Sequence, residues 1–407
     1  MRILVQKFGG TSLADADRVL AAARRTARAV AEGWSVIVVV SAMAGETNRL
    51  LKLASQFGNG TDRRRLREVD ALVATGEEVS AALMALALQS LDVRARSLTA
   101  HQVLLRCDGR FQNARIRSVD SEELRSLLEK GSVPVVTGFQ GIDDEGNVAT
   151  LGRGGSDTTA VALAVAISAE ECEIFTDVEG VYTTDPNLCP EARKLHRIAC
   201  EDMLELASLG AKVLQIRSVE LAMKGTTRIH VRSTFTDREG TMITPGNNDL
   251  EAPVVTGIAC DMNQARVTIV GLKDRPDLLA KVFEPLARDE ISVDLITQNL
   301  AADGSVTVTF TLEANRLDAA RTSIDPVVHE LQGREAQVDR DVAKVSAVGI
   351  GMRTHAGVAQ KMFAILSGAG IPIRLAVSTE IKVSCVVPSN CGAQAVRLLH
   401  AGFGLAA

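Results

Sequence analysis

Two short loops in this chain carry the residue types that hold phosphate. The first is Lys7-Phe8-Gly9-Gly10-Thr11-Ser12, which follows the apolar run Ile3-Leu4-Val5 and precedes a helical pattern starting near Asp15. Glycines let backbone N–H groups approach an anion, and a helix start adds partial positive charge. Lys7 adds a full charge at the end of the strand. Ser12 and Asp15 have capping-box spacing, in the variant that ends in Asp. An ordinary tight turn beside a surface lysine would read the same way, and the run is not a Walker A loop, which needs G-x-x-x-x-G-K-[ST]. The second loop, Gly152-Arg153-Gly154-Gly155-Ser156-Asp157-Thr158-Thr159, lies before the apolar helical run Ala160 to Ile167. Arg153 offers a planar fork suited to carboxylate or phosphate. Asp157 could orient a cation or a lysine. One loop for the transferred group and one for its acceptor fits phosphoryl transfer, which depends mostly on positioning and electrostatics.

The elements that must position these loops alternate. Arg18 to Ala31 is Ala-rich and helical, with Gly33 as its stop. Val36 to Val40 reads as a strand buried on both faces, as in a covered parallel sheet. Ala81 to Leu88 is an apolar helix, Val133 to Thr137 a strand ending at Gly138, and Glu173 to Thr176 another strand. This order predicts an α/β fold, an open and mostly parallel αβα sandwich. Ligands collect at the carboxyl ends of such strands, where Lys7, Ser41, Gly138 and Thr176 all fall. Thr244-Pro245-Gly246-Asn247-Asn248 reads as a linker. Beyond it Val267–Gly271 matches Val345–Gly349, each followed by a helix with a phenylalanine (Phe283, Phe363) and then by a second strand. The repeat predicts two strand–helix–strand units of ferredoxin-like type.

With 407 residues, 46% of them hydrophobic, the chain can bury more than one core. Its net charge of −5 and its single Trp and Tyr argue against nucleic acid as the main partner. The basic group Arg63-Arg64-Arg65-Leu66-Arg67 reads as a solvated helix face. Seven cysteines without a C-x-x-C pair or a signal peptide fit the cytoplasm. No apolar run is expected to span a membrane.

Seven motifs in order resemble the aspartokinases of the amino-acid kinase family. They are KFGGTS (Lys7–Ser12), SAMAGETNRL (Ser41–Leu50), TGE (Thr75–Glu77), GFQG (Gly138–Gly141), TLGRGGSDTT (Thr150–Thr159), TDVEGVYTTDP (Thr176–Pro186) and ASLGAKVLQIRSVE (Ala207–Glu220). The resemblance covers nearly the whole chain. It implies a kinase domain over 1–245 and tandem ACT domains over 251–407. The first ACT repeat would span about 265–340, the second about 343–407 with a strand contributed from about 252–260.

The resemblance also implies roles. Lys7, Asp157 and Lys212 would be catalytic, the lysines contacting phosphate. Thr47, Glu77, Arg153, Gly154, Gly155 and Ser156 would bind the acceptor. In that reading Glu77 takes the α-ammonium and Arg153 the α-carboxylate. ATP would lie against Lys7, Phe8, Gly9, Gly10, Ser41, Thr176, Asp177, Tyr182, Asp185, Pro186, Lys212 and Val213. Read without the resemblance, Ser41 is a helix cap, Glu77 a solvated carboxylate at a helix start, and Tyr182 ordinary core.

The implied reaction converts ATP and L-aspartate to ADP and 4-phospho-L-aspartate, the first step toward lysine, threonine and methionine. The acceptor carboxylate is already ionised, so no general base and no catalytic histidine are needed. ATP would arrive with Mg²⁺, held by its own oxygens and by water; no protein metal ligand and no tightly bound cofactor are expected. Lysine and threonine are the expected effectors, at Asp274, Asp277, Leu278, Gln298, Asn299, Gly357, Val358, Ser378, Thr379 and Glu380. Two departures bear on them. Asp277 stands where a glycine follows D-x-P in relatives, and S-T-S-E appears as Val377-Ser378-Thr379-Glu380. Asp277 is expected to fill the helix N-terminus with its own carboxylate and so weaken or redirect feedback. The ACT units would pair chains into a homo-oligomer, or pair with a regulatory subunit initiated internally at Met242 or Met262. Neither nucleic acid nor membrane is an expected partner. Two alternatives stand beside this reading: a kinase of another small carboxylate or carbamate, and an ACT-based amino-acid sensor without activity.

Overall fold

Runs of β-branched residues form the buried strands of one sheet, and glycine-bearing loops follow them. The computed structural model describes residues 1–209, 213–225, 227–246, 254–349, 352 and 357–406. Its contacts divide the chain into two compact units. Unit one comprises Met1–Tyr182, Lys194–Ser208 and Lys212–Ala252; unit two comprises Thr183–Arg193, Leu209–Ala211 and Pro253–Ala407. The expected linker around Thr244–Asn248 falls partly outside the described residues.

The first unit holds an eight-stranded sheet. Its order is Arg197–Ala199, Thr241–Thr244, Arg228–Ser233, Glu171–Thr176, Ile3–Phe8, Ser35–Val40, Val133–Thr137, Ala95–Leu98. All neighbours are parallel except Arg228–Ser233 with Thr241–Thr244. Helices Ala16–Ala31 and Arg63–Gln89 pack on one face through Val19, Ala22, Ala81 and Met84 against Phe8, Val38, Val135 and Phe175. Helix Gly155–Ile167 contacts Ile3–Phe8 and Glu171–Thr176 and is buried nearly all round. Among the described residues the chain thus builds the expected αβα sandwich.

Three local details differ from expectation. Asp15, not Ser12, caps the Ala16–Ala31 helix, accepting from the Arg18 N–H at 2.9 Å. Ser12 is fully buried and hydrogen-bonds the Thr234 hydroxyl at 2.5 Å, a long-range partner that local spacing cannot reveal. Ala81–Leu88 is only the end of the Arg63–Gln89 helix, which is long and apolar enough to cross a membrane. Here, however, it carries the buried carboxylates Asp70 and Glu77 and packs on the sheet. A four-stranded sheet of very short strands, Ile116–Ser118, Arg106–Cys107, Gln140–Ile142 and Val148–Thr150, was not legible from periodicity.

The second unit holds a six-stranded antiparallel sheet ordered Asp294–Leu300, Ser305–Glu313, Gly257–Lys273, Glu335–Val348, Lys382–Pro388, Leu375–Ser378. Its two central strands are long. Gly257–Asp261 lies beside Lys344–Val348, and Val267–Val270 beside Glu335–Val338. Each long strand therefore serves both repeats. Helices Leu278–Arg288 and Leu317–Glu330 close one core around Phe310; Gly357–Gly368 and Gly392–Gly402 close the other around Val345 and Cys385.

Candidate active site

Parallel register brings the strand ends to one edge. Lys7 lies level with Val39 and Ile174, and Val40 with Thr137. The glycine loop, Ser41, Gly138 and Asp177 leave the sheet at that edge. Close approach explains two glycines there. A Cβ on Gly10 would meet the Ala42 carbonyl at 2.8 Å, and one on Gly138 would meet Ser156 Oγ at 2.7 Å. Gly45 and Gly154 have left-handed backbone and precede helices Glu46–Ser55 and Gly155–Ile167. Gly45 rather than Ser41 is the N-cap, so Ser41 is free of the capping role.

A cleft of about 480 Å³ opens here, lined by Lys7, Gly9, Gly10, Ser41, Thr47, Glu77, Gly154, Gly155, Ser156, Asp157 and Thr176. Lys7 Nζ lies 2.6 Å from Asp157 Oδ1, with both side chains nearly buried. Asp157 sits in the first turn of its helix, where the dipole favours a carboxylate. Glu77 lies in the middle of the 27-residue helix and is 3% exposed, not at a solvated helix start. Its Oε1 accepts from the Ala42 N–H at 2.9 Å, while Oε2 is buried without a partner among the described residues. Burial pushes its carboxyl up to about 7, against the pull of the Ala42 hydrogen bond. A buried, half-satisfied carboxyl lining a cleft is suited to receive an ammonium.

Other expected residues stand elsewhere. Phe8 is fully buried with its ring stacked on Phe175, centroids 4.8 Å apart, leaving only its backbone for a ligand. Arg153 is exposed beside the cleft, its carbonyl held by Gln215 Nε2 at 2.7 Å. Asp177 is exposed and takes the Thr176 hydroxyl at 3.1 Å. Tyr182 is half-buried and bridges Lys194. Asp185 and Pro186 are exposed and group with the second unit. Val213 is half-buried, and Lys212 lies outside the described residues. The cleft also takes in Met43, Ala44, Asn48 and Phe139, which sequence reasoning passed over although two quoted motifs contain them.

A second polar cluster sits on the opposite face of this sheet. Gln6, Glu173 and His230 share a register, and Glu171, Glu173 and His230 have ligand-type atoms within 4.8 Å of one another. These groups already satisfy each other: Glu173 takes Gln6 at 2.8 Å and Arg232 at 2.6 Å, and Glu171 takes His230 Nδ1 at 2.9 Å.

In the second unit, Asp274, Leu278 and Gln298 line a cleft of about 350 Å³ with Arg275, Pro276 and Leu279. Asp277 is the N-cap residue of Leu278–Arg288, yet its side chain makes no capping bond. Arg275 holds the carboxylate instead, with Nη2 2.6 Å from Oδ2. The charge-assisted pair, half exposed and only two residues apart, takes the carboxylate in place of the neutral backbone donors. This corrects the expectation that Asp277 fills the helix terminus itself. Asn299, Ser378, Thr379 and Glu380 are exposed; Gly357 opens its helix, and Val358 is buried.

Residues 2–233 match the amino acid kinase family, and residues 345–403 match an ACT domain. An aspartate kinase of Pseudomonas putida is 45% identical over 406 residues, covering 100% of this chain and 98% of that protein. The crystal structure of E. coli aspartokinase III in complex with aspartate and ADP, in the R-state, superimposes with a TM-score of 0.81 at 29% identity, covering 98% of this chain and 99% of that one. The same enzyme with lysine and aspartate, in the T-state, gives a TM-score of 0.75 at the same identity, again covering 98% and 99%.

Proposed function

The chain belongs to the amino acid kinase family and carries a C-terminal ACT domain, and from that premise we propose that it phosphorylates the side-chain carboxylate of L-aspartate with ATP. The products are ADP and 4-phospho-L-aspartate. The observation that carries this reading is the joining of Lys7, Asp157, two glycine loops and the half-satisfied Glu77 in one cleft.

The difficulty is bringing an anion to a polyanion. Lys7 and the Gly10 N–H meet the phosphates, while the Gly9 N–H is held by the Phe175 carbonyl at 3.3 Å, and Lys212 adds charge from its own segment. The Glu77 carboxylate takes the ammonium of aspartate, and Arg153 its α-carboxylate. Ser156 and Asp157 lie between the two substrates, with Asp157 steering Lys7. The acceptor oxygen needs no base because it is ionised at neutral pH. The protein supplies orientation and charge. ATP enters as its Mg²⁺ complex, which neutralises charge on the phosphates. Asp157 is paired with Lys7, and Glu77 is taken by the substrate ammonium in this reading, so ATP oxygens and water would hold most of that ion.

The ACT repeats make feedback the expected control, with lysine as one effector, as in the E. coli complex. Threonine is the second effector in this reading. With Arg275 occupied by Asp277, an incoming amino-acid carboxylate meets a neutralised guanidinium, which weakens inhibition.

A coupled ADP-release assay tests the activity. Release should require aspartate and be absent with glutamate or with no acceptor. Release with glutamate alone would assign another acceptor, and no release with any acceptor would favour an amino-acid sensor.

A further inference from the structure

Six of the eight backbone polar groups from Thr150 to Arg153 are hydrogen-bonded. The Thr150 N–H donates to Asp70 Oδ2 at 2.6 Å, and its carbonyl accepts from Ala114 at 2.9 Å. The Leu151 N–H donates to the Phe139 carbonyl at 2.8 Å, and the Gly152 carbonyl accepts from Gly155 at 2.9 Å. Two side chains from one distant segment hold two further carbonyls. Arg217 Nη1 donates to the Leu151 carbonyl and Nη2 to the Ala114 carbonyl, each at 2.7 Å. Gln215 Nε2 donates to the Arg153 carbonyl at 2.7 Å.

Gln215 also covers the left-handed glycine that starts the next helix. A Cβ placed on Gly154 would lie 2.6 Å from Gln215 Cβ. Arg217 is half-buried and lends its planar fork to two backbone carbonyls, although burying a guanidinium is costly. That cost suits a group whose task is to fix a geometry. The segment bearing these residues follows Lys212 by three and five positions in the sequence.

We propose that Gln215 and Arg217 are positioning residues for the phosphoryl acceptor. They hold the Leu151–Gly154 loop so that Arg153 and the first helical turn, with Ser156 and Asp157, keep the spacing that receives aspartate. The inference rests on the reading of that loop as the acceptor side of the site. Neither residue lines the cleft, so their effect passes through the loop backbone.

The test compares Arg217→Met, Arg217→Lys, Gln215→Ala and Arg153→Ala by steady-state kinetics and thermal melting. Arg217→Met should raise the aspartate KM roughly tenfold, with the ATP KM moving less than about twofold. Arg217→Lys should recover part of the loss, since one ammonium can still reach one carbonyl. Gln215→Ala should raise the aspartate KM by a smaller factor, and it carries the test if Arg217→Met fails to fold. An unchanged aspartate KM in Gln215→Ala and Arg217→Met, or equal rises in both KM values, overturns the proposal. If Arg153→Ala raises the aspartate KM while Gln215→Ala and Arg217→Met do not, this inference falls and the Arg153 assignment stands. If only Arg153→Ala is silent, the Arg153 assignment falls and the loop still acts through Ser156 and Asp157.

Discussion

The ammonium of Lys7 lies 2.6 Å from Oδ1 of Asp157, with side chains only 11% and 13% exposed. One residue ends a strand and the other begins a helix, so the pair joins the two glycine loops across the cleft. If phosphate binds here as proposed, it would meet a lysine already aimed and partly stripped of water, which lowers the cost of reorganisation.

Replacing Lys7 by alanine should lower kcat by about two to three decades, as for other electrostatic stabilisers of a transition state. Circular dichroism should show a folded protein. Near-normal turnover in that folded variant would remove Lys7 from the chemistry.

Arg153→Lys should raise the aspartate KM, because a point ammonium cannot reproduce a bidentate grip on a carboxylate. The ATP KM should change much less. A rise confined to the ATP KM would move Arg153 to the nucleotide side.

Glu77 gives a pH prediction of definite sign. Its carboxyl is raised by burial from 4.5 to about 7. The unfolded chain ionises first, so this group's stabilising contribution is full below pH 4.5 and is lost as pH rises through about 7. The span is on the order of 3 kcal/mol. Glu77→Gln should therefore melt higher than the parent at pH 8 but not at pH 4. The parent's aspartate KM should fall as pH rises toward neutrality, because the ammonium needs the carboxylate form. A variant with the parent's pH slope in both measurements would contradict this assignment.

Asp277→Gly should strengthen inhibition by lysine, threonine or both. The change frees Arg275 and removes a negative charge at a helix start. Dose–response curves of parent and variant decide the matter; micromolar inhibition of the parent by lysine plus threonine would show that Asp277 does not weaken the site.

The chain should be at least a dimer through its second unit. The edge strand Asp294–Leu300 exposes Ile296 at 47% and Leu300 at 63%, and such edges call for a cover. Light scattering at micromolar concentration should give twice the chain mass or more, and Leu300→Lys should reduce it. A monomeric parent would rule out the pairing.

The strands and glycine loops of the first unit were legible because apolar runs and turn residues carry their signal locally. Part of what escaped depends on a distant partner. Thr75-Gly76-Glu77 reads as a helix start because threonine and glycine punctuate helices. Gly76 instead lies mid-helix, where a Cβ would crowd Ala42 Cβ at 2.9 Å. Ser12 reads as a cap until Thr234 is brought beside it. The Asp277 carboxylate reads as a helix cap because the competing guanidinium, two residues away, is an equally local choice. The short sheet around Arg106 and Val148 has strands too brief for any alternation to register.

The two long strands at the centre of the second unit carry a consequence for its folding. Gly257–Lys273 and Glu335–Val348 each run from one repeat into the other, so neither repeat owns a complete sheet. Cutting the chain between them would strip a strand from both at once. The repeats, separate in sequence, share one sheet, and heating should melt them in a single transition rather than two.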